Sequence, residues 1–468
     1  MTFENFWQSF TTFNAVTVFT FLLALGAIAH MLSQRHKPSS MIAWFVIILA
    51  IPYLGVPFYI IFSGRKINKI VQSKQRIELK RIDEIGDLLN SPIEKLLCAN
   101  SVAGAVGDNE FILCKDGVDA YEKLIDMLTR AKESIYITTY ILKKDEVTKK
   151  IIELLTKKAK EGVEVRMIID SIGSLFLELN QKVLKPLKKA GGDYRFFMSI
   201  IEHPISTKLN LRNHRKMIII DHKEVMSGGM NISKEYIAPS FHDKMWVDLS
   251  FIIKGKAALH YFEIFKYDWE FASGENIPTP AINPKEFVFK KSVVQVVPSG
   301  PDVEKDALYE AILTAIFLAK KKIWILSPYF IPDESLQDAL IVAKHKGIDV
   351  KIITAKISDH ILADAARKGY LRELYEERVD ILFYKSKMIH AKAVLIDTEM
   401  AILGSSNFDI RSFFYNFEVV SFFYSKSDIE NVREWIEELF KECDRGMKDT
   451  TKFGILFENI FKLMAPVL

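Results

Sequence analysis

Apolar and polar positions alternate in three rhythms along the chain. Two uncharged runs come first, at residues 12–31 and 41–62. Each is about 20 residues long, enough for a helix to cross a hydrocarbon core. The segment ahead of the first run holds Glu4 and no Lys or Arg, which argues against a cleaved leader. Pro52, Gly55 and Pro57 predict a kinked or broken second helix. Next, Ile67, Ile70, Val71, Ile77, Ile82, Ile85 and Leu89 recur at helical spacing beside a basic face, the pattern of an amphipathic connector. From residue 108 the rhythm becomes mixed. Residues 133–142 are β-branched and aromatic and predict a strand, 147–162 a helix closed by Gly162, and 163–170 another strand.

The same order then returns, with a strand at 321–331, a helix at 333–347 ended by Gly347, and a strand at 348–354. AKESIYI at 131–137 matches AKKKIWI at 319–325. The offset drifts from 188 at this strand to 176 at the histidines discussed below, as loop insertions do to a duplication. Three prolines within 272–292 mark the linker between halves. The expected fold class is α/β: two halves related by a pseudo-two-fold, with the site at their interface, behind an N-terminal helical hairpin. The expected segments are a hairpin at 1–63, the connector at 64–107, halves at 108–275 and 276–450, and an amphipathic tail at 451–468. In the tail Phe453, Leu456, Phe457, Ile460, Phe461 and Met464 share a helical face.

Composition adds little. The net charge of +4 over 468 residues supports no nucleic-acid partner. Three dispersed cysteines, Cys98, Cys114 and Cys443, suit neither a disulfide framework nor a zinc site. Charge placement is more telling. Residues 1–11 have no Lys or Arg, the short loop has Arg35 and Lys37, and residues 63–82 hold seven basic side chains. The positive-inside bias puts that basic stretch, and the rest of the chain, on the cytoplasmic side of a membrane crossed twice.

The chemistry lies in the duplicated element. His214, Lys216, Asp221 and Asn231 recur as His390, Lys392, Asp397 and Asn407, with identical spacings of two, seven and seventeen residues. A lone His-x-Lys on a strand edge means little; two copies on the same template point to one site. Lysines and asparagine amides, with Ser405 adding a hydroxyl, make an anion pocket. One neutral imidazole can attack phosphorus, and one cationic imidazole can protonate the leaving alkoxide, with a bell-shaped pH dependence. No metal or other cofactor is needed, because the lysines neutralise the phosphoryl oxygens. Asp248 and Glu418 are the expected acceptors that orient the histidines. Asp221 and Asp397 complete the repeated motif, but at roughly 23 Å along an extended strand they hold its loop and do not touch the phosphate. Lys208, Arg212, Arg215, Lys385 and Lys387 read equally well as a surface for anionic lipid or as solvated charge.

The paired His-x-Lys-x4-Asp motifs followed by GGMN and GSSN resemble the phospholipase D superfamily. The two apolar runs, IDSIGS at 169–174, KMWVDLSFIIKG, VQVVPSGP, SPYFIP, GSSNFDIRSFFYNFEV and the tail resemble the bacterial cardiolipin synthases of its membrane-bound, two-motif type. Gly229 departs from the superfamily, which often has serine there. The resemblance implies a ping-pong transfer through a phosphohistidine, with His214 as nucleophile and His390 as general acid, that turns two phosphatidylglycerols into cardiolipin and glycerol. It implies a place in the bacterial inner membrane among anionic lipids, and is compatible with a homodimer. A different superfamily transferase or hydrolase, such as a phosphatidylserine synthase, phospholipase D or nuclease, or a non-catalytic membrane scaffold, are the competing readings.

Overall fold

The computed structural model describes residues 3–33, 38–62, 74–79, 91–202, 211–279, 287 and 292–463. Most of the expected connector helix, with Ile67, Ile70, Val71, Ile82, Ile85 and Leu89, lies outside them, as do Arg35, Lys37, Lys208 and Met464.

The N-terminal unit is built from three helices, α1 (Phe3–Ser33), α2 (Pro38–Ala50) and α3 (Pro52–Phe62). The second apolar run is therefore two helices of 13 and 11 residues. The break falls at Ile51, because the residue before a proline is pushed out of the helical region and Pro52 has no N–H to continue the ladder. The chain then folds sharply back. A Cβ on Gly55 would stand 2.7 Å from the Ile47 carbonyl oxygen, so only glycine permits the approach. Ala24, Ala27, Met31, Ile48, Val56 and Tyr59 form a small core, and His30 Nδ1 lies 2.8 Å from the Tyr59 hydroxyl. Phe19, Leu22, Leu32, Ile42 and Leu54 point outward. Among the described residues no helix is long and apolar enough to cross a membrane.

The second unit is organised by one fifteen-stranded sheet. The first half contributes β1 (Val106–Cys114), β2 (Ser134–Thr139), β3 (Glu164–Asp170), β4 (Asp193–Phe197), β5 (Met217–Ile220), β6 (Glu224–Gly228) and β7 (Ser250–Gly255). The second contributes β8 (Ser292–Ser299), β9 (Lys322–Leu326), β11 (Asp349–Ala355), β12 (Asp380–Tyr384), β13 (Ala393–Ile396), β14 (Met400–Gly404), β16 (Glu418–Phe423) and β17 (Cys443–Arg445), while β10 (Phe330–Ile331) and β15 (Phe408–Asp409) pair in a separate two-stranded sheet. Read outward from the centre, the first half runs β1-β7-β6-β5-β2-β3-β4 and the second β8-β16-β14-β13-β9-β11-β12, with β17 added at its edge. The orders correspond strand for strand, so the duplication seen in the sequence is a duplication of topology. The halves join where β1 pairs antiparallel with β8. In each, β2-β3-β4 and β9-β11-β12 are parallel and fed by helical crossovers, Glu146–Lys160 and Glu334–His345 among them. Strands β2, β5, β6, β13, β14 and β16 are buried along their whole length, which is why they read as apolar runs.

The connector departs from the expected organisation. Residues 74–79 are not helical, and the Lys74 ammonium is buried against Asp268 at 2.9 Å and Asp302 at 2.5 Å. This part of the connector belongs to the core, with Ile77 packed beside it. The short helix Pro92–Ala99 packs through Ile93 and Leu97 into the core of the second half. The tail is a helix, Lys452–Leu463, set on the helix Ile361–Glu376. Arg372 donates from Nε to Glu458 at 2.6 Å, and Lys462 reaches Glu373 at 2.5 Å. Phe453, Leu456, Phe457 and Ile460 remain exposed.

Candidate active site

Each half delivers its motif to the other by a reciprocal backbone exchange. The His214 N–H donates to the Phe417 carbonyl at 2.9 Å, and Phe417 N–H to Arg212. Likewise the His390 N–H donates to Val247 at 2.7 Å, and Val247 N–H to Met388. The residues after Phe417 and Val247 are Glu418 and Asp248. Each carboxylate thus meets the histidine of the opposite half: Glu418 lies 2.9 Å from His214 Nδ1, and Asp248 2.7 Å from His390 Nδ1. A carboxylate on Nδ1 places the proton there and leaves Nε2 as the lone-pair nitrogen. Tyr140 packs edge-on against His214 at 4.9 Å, and Tyr236 against His390 at 5.2 Å. These rings limit each imidazole to one orientation, and nothing in their local sequence distinguishes them from core aromatics.

Both histidines line one cavity of about 470 Å³, together with Asn231, Asn407, Arg212, Arg411, Tyr329 and Asp359. The Ile141 N–H donates to Asn231 Oδ1 at 3.1 Å, leaving the amide nitrogen as a donor. Lys392 Nζ stands 3.0 Å from His390 Nε2, and Lys216 Nζ donates to the His214 carbonyl at 2.8 Å. No group of His, Cys, Asp and Glu suited to a metal ion occurs among the described residues.

Burial governs the charges here. It pulls the His214 imidazole down to about 4 against the opposing pull of Glu418. For His390, burial and then Lys392 lower the ring to about 4, with Asp248 opposing. Burial also lowers Lys216 to about 7 and Lys392 to about 8, the carboxylates opposing in both cases. Burial alone would raise Glu418, but His214, Lys216 and the Ser405 hydroxyl outweigh it and hold the carboxyl below its ordinary range. Burial thus favours the neutral form of both imidazoles in the free site and leaves the anion-binding charge to the lysines; the one neutral and one cationic ring needed for transfer concern the substrate-bound site. An anionic phosphodiester entering the cavity raises all four groups, and this is when a histidine can take up its proton. The free-protein profile of kcat/KM should accordingly fall from about pH 7 as first Lys216 and then Lys392 lose their charge. Initial rates in nonionic micelles would measure it; a flat profile to pH 9 would count against lysine-borne charge.

Other expected site residues fall elsewhere. Asp221 and Asp397 sit at positive φ of 51° and 52°, in tight turns at the ends of β5 and β13. Their carboxylates accept from the N–H groups of Lys132, Glu133 and Ser134, and of Lys320, Lys321 and Lys322, which hold the start of β2 and β9. Ser405, expected on the phosphate, is fully buried and donates its hydroxyl to Glu418 at 2.5 Å instead. The departure at Gly229 has the same geometric root. A Cβ there would fall 2.2 Å from Asp248 Oδ1, so the shorter carboxylate occupies the space that the Ser405 side chain fills beside Glu418.

Two arginines expected at the surface, facing anionic lipid or water, are interior instead. Arg212 is 2% exposed, 3.7 Å from Asp170. Arg215 is fully buried, with bonds to Asp268 at 2.6 Å, Asp302 at 3.0 Å, and the Glu418 and Ser299 carbonyls. Lys385 stays exposed near Asp444, and Lys387 donates to the His242 carbonyl.

Comparison with known proteins matches this geometry. The family described as cardiolipin synthase, PLD-like domain, covers residues 124–269 and 312–440. A phospholipase D-nuclease N-terminal family covers residues 22–64. The chain is 34% identical to the major cardiolipin synthase of Bacillus subtilis strain 168, over 97% of this chain and 98% of that one. It is 31% identical to a cardiolipin synthase of Clostridium perfringens, over 93% and 95%. The phosphatidylserine synthase of Haemophilus influenzae Rd KW20 shares the fold, with a TM-score of 0.60 over 81% of this chain and 98% of that one at 15% identity. Two corresponding half-sheets, a cavity reached by one His-x-Lys element from each, and near full-length similarity to these relatives place the chain in the cardiolipin synthase family of phospholipase D-like proteins.

Proposed function

We propose that the protein is a phosphatidyl transferase that condenses two phosphatidylglycerol molecules into cardiolipin and glycerol. One observation carries the reading: two imidazoles, each held on Nδ1 by a carboxylate of the opposite half, open into a single cavity beside two lysines. That is the equipment for a two-step displacement at a phosphodiester. In the first step His214 Nε2 attacks phosphorus and the P–O bond to glycerol breaks, the alkoxide taking its proton from His390. In the second, the hydroxyl of another phosphatidylglycerol attacks, the N–P bond breaks and the proton goes to His390. Lys216 and Lys392 supply positive charge and Asn231 and Asn407 amide groups for the phosphoryl oxygens. The relatives named cardiolipin synthase favour this lipid pair over other phosphodiesters.

The proposal includes a membrane anchor in α1–α3, at the bacterial inner membrane with the catalytic unit on its cytoplasmic face. The uncharged runs, the outward apolar side chains and the basic stretch after them support it. Recovery of the full chain in the supernatant after alkaline washing of membranes would refute that part. The chemistry is tested with purified protein and phosphatidylglycerol in nonionic micelles. Cardiolipin and glycerol should appear in equal amounts; phosphatidic acid as the sole lipid product would make it a hydrolase.

A further inference from the structure

The repeated groups treat both phosphates alike, yet the two lipids of a condensation play different parts. The donor presents a phosphodiester and the acceptor an uncharged alcohol. Something must break the symmetry of the site, and the cavity wall shows where.

The strands β3 and β11 correspond, and so do the loops that follow them. After β3 the chain is closed on itself: Ser174 Oγ donates to the Tyr140 carbonyl, and the Gly173 N–H donates to Asp170. No carboxylate from that loop enters the cavity lining. After β11 the loop instead brings Asp359, His360 and Ile361 into the lining, beside Tyr329. The Tyr329 hydroxyl donates to Asp359 Oδ1, and its ring lies 6.4 Å from that of His390. His360 Nε2 is 3.8 Å from the other carboxylate oxygen, beyond hydrogen-bond reach. The Asp359 side chain lines the cavity and is 36% exposed. An acid is out of place in a pocket for anionic lipid unless it takes a part of the lipid that is not anionic. A carboxylate accepts hydrogen bonds from hydroxyls and repels phosphate, so it admits an acceptor alcohol-end first. It stands on the His390 side, where the reading above needs the acceptor's proton to go.

We propose that Asp359, supported by the Tyr329 hydroxyl, forms the acceptor subsite of the reaction, binding the paired hydroxyls of a glycerol headgroup and directing one of them to the phosphohistidine ahead of water. The inference rests on the proposed transfer reaction. Atoms balance as in the second step above: the O–P bond forms, the N–P bond breaks, and the hydroxyl proton passes to His390.

Asp359→Asn keeps an oxygen for the Tyr329 hydroxyl and removes the charge. It would be compared with wild type as the full-length protein in nonionic micelles of phosphatidylglycerol. Glycerol leaves the donor through the subsite by which it would re-enter, so the burst of glycerol should slow, and because water needs no diol subsite the ratio of cardiolipin to phosphatidic acid should fall by about ten-fold or more, the scale of one hydrogen bond to a charged group. Exchange of labelled free glycerol should fall in parallel, since the diol itself is read. Loss of all turnover, hydrolysis to phosphatidic acid included, would make Asp359 a structural residue and overturn the proposal, as would an unchanged ratio. A fall confined to the lipid acceptor would mean that another part of the lipid is touched. A defect seen only with added ethanolamine would mean that the carboxylate reads an ammonium group; either result overturns the diol. If wild type itself releases no glycerol, the transfer reading fails first, and this inference with it.

Discussion

Replacing His214 by alanine is expected to lower phosphatidyl transfer by roughly 10⁴-fold or more, His390→Ala to do the same, and the double variant to be no worse than either single one. The non-additivity follows from the geometry. The rings lie on one cavity and act in the same two steps, so loss of one leaves the other nothing to complete. Without His214 no neutral nitrogen remains on the Glu418 side to attack phosphorus. Without His390 the glycerol must leave as an alkoxide, and the acceptor hydroxyl must attack with its proton in place. The measurement is single-turnover transfer from a lipid labelled in its phosphatidyl group, followed by mapping of the trapped phosphohistidine. A label on His390 would reverse the assigned parts. Additive losses, or no label on either ring, would end the covalent mechanism.

The second large effect concerns stability, at a residue inside the first motif. Arg215→Met should destabilise the protein by about 3–5 kcal/mol, the usual consequence of removing one member of a buried ionic group. Arg215 and Lys74 neutralise Asp268 and Asp302 in a cluster closed to solvent. Removing the guanidinium leaves two buried carboxylates with one cation and strips the Glu418 and Ser299 carbonyls of a donor. The same atoms join the first half, through Arg215 and Asp268, to the start of the second at Asp302. The loss should therefore appear as cooperative unfolding of the whole unit at lower denaturant, not as fraying of one half. Adding Asp302→Asn to Arg215→Met should recover part of the loss, because it removes one uncompensated charge. Equal stability of Arg215→Met and wild type, or a second substitution that only deepens the defect, would show that the cluster does not stabilise the fold.

Arg215 marks where legibility of this sequence ends. An arginine between His214 and Lys216 has the same local signature whether it faces lipid, water or two aspartates. Only the packing of Asp268 and Asp302 against it, 53 and 87 residues away, decides which. Lys74 repeats the lesson: the basic stretch after the second apolar run reads as an amphipathic connector with its charges outward, yet this ammonium is interior. Ser405 repeats it at the site, since a hydroxyl two residues before Asn407 could reach either a phosphate or the carboxylate behind the histidine. The drop of both histidines to about 4 belongs to the same class, because desolvation is a property of the assembled cavity.

What the sequence determined by itself is what repeats or is local. Periodicity marked one strand–helix–strand run in each half to within about five residues, because side-chain burial in a strand or helix is set over spans of about four to fifteen positions. The drifting offset identified the duplication, and identical spacing of His, Lys, Asp and Asn singled out one composite site before any contact was known. Proline at 52 announced the break between α2 and α3 through its missing N–H. The tertiary structure alone decided the partners. It set Glu418 on His214 and Asp248 on His390, across 204 and 142 residues, because strand order in a shared sheet, not distance along the chain, determines which loops face one another. It also decided that one half, and not the other, sends a carboxylate into the cavity, since corresponding loops after corresponding strands can close on themselves or open toward the site with no change in the periodic pattern that surrounds them.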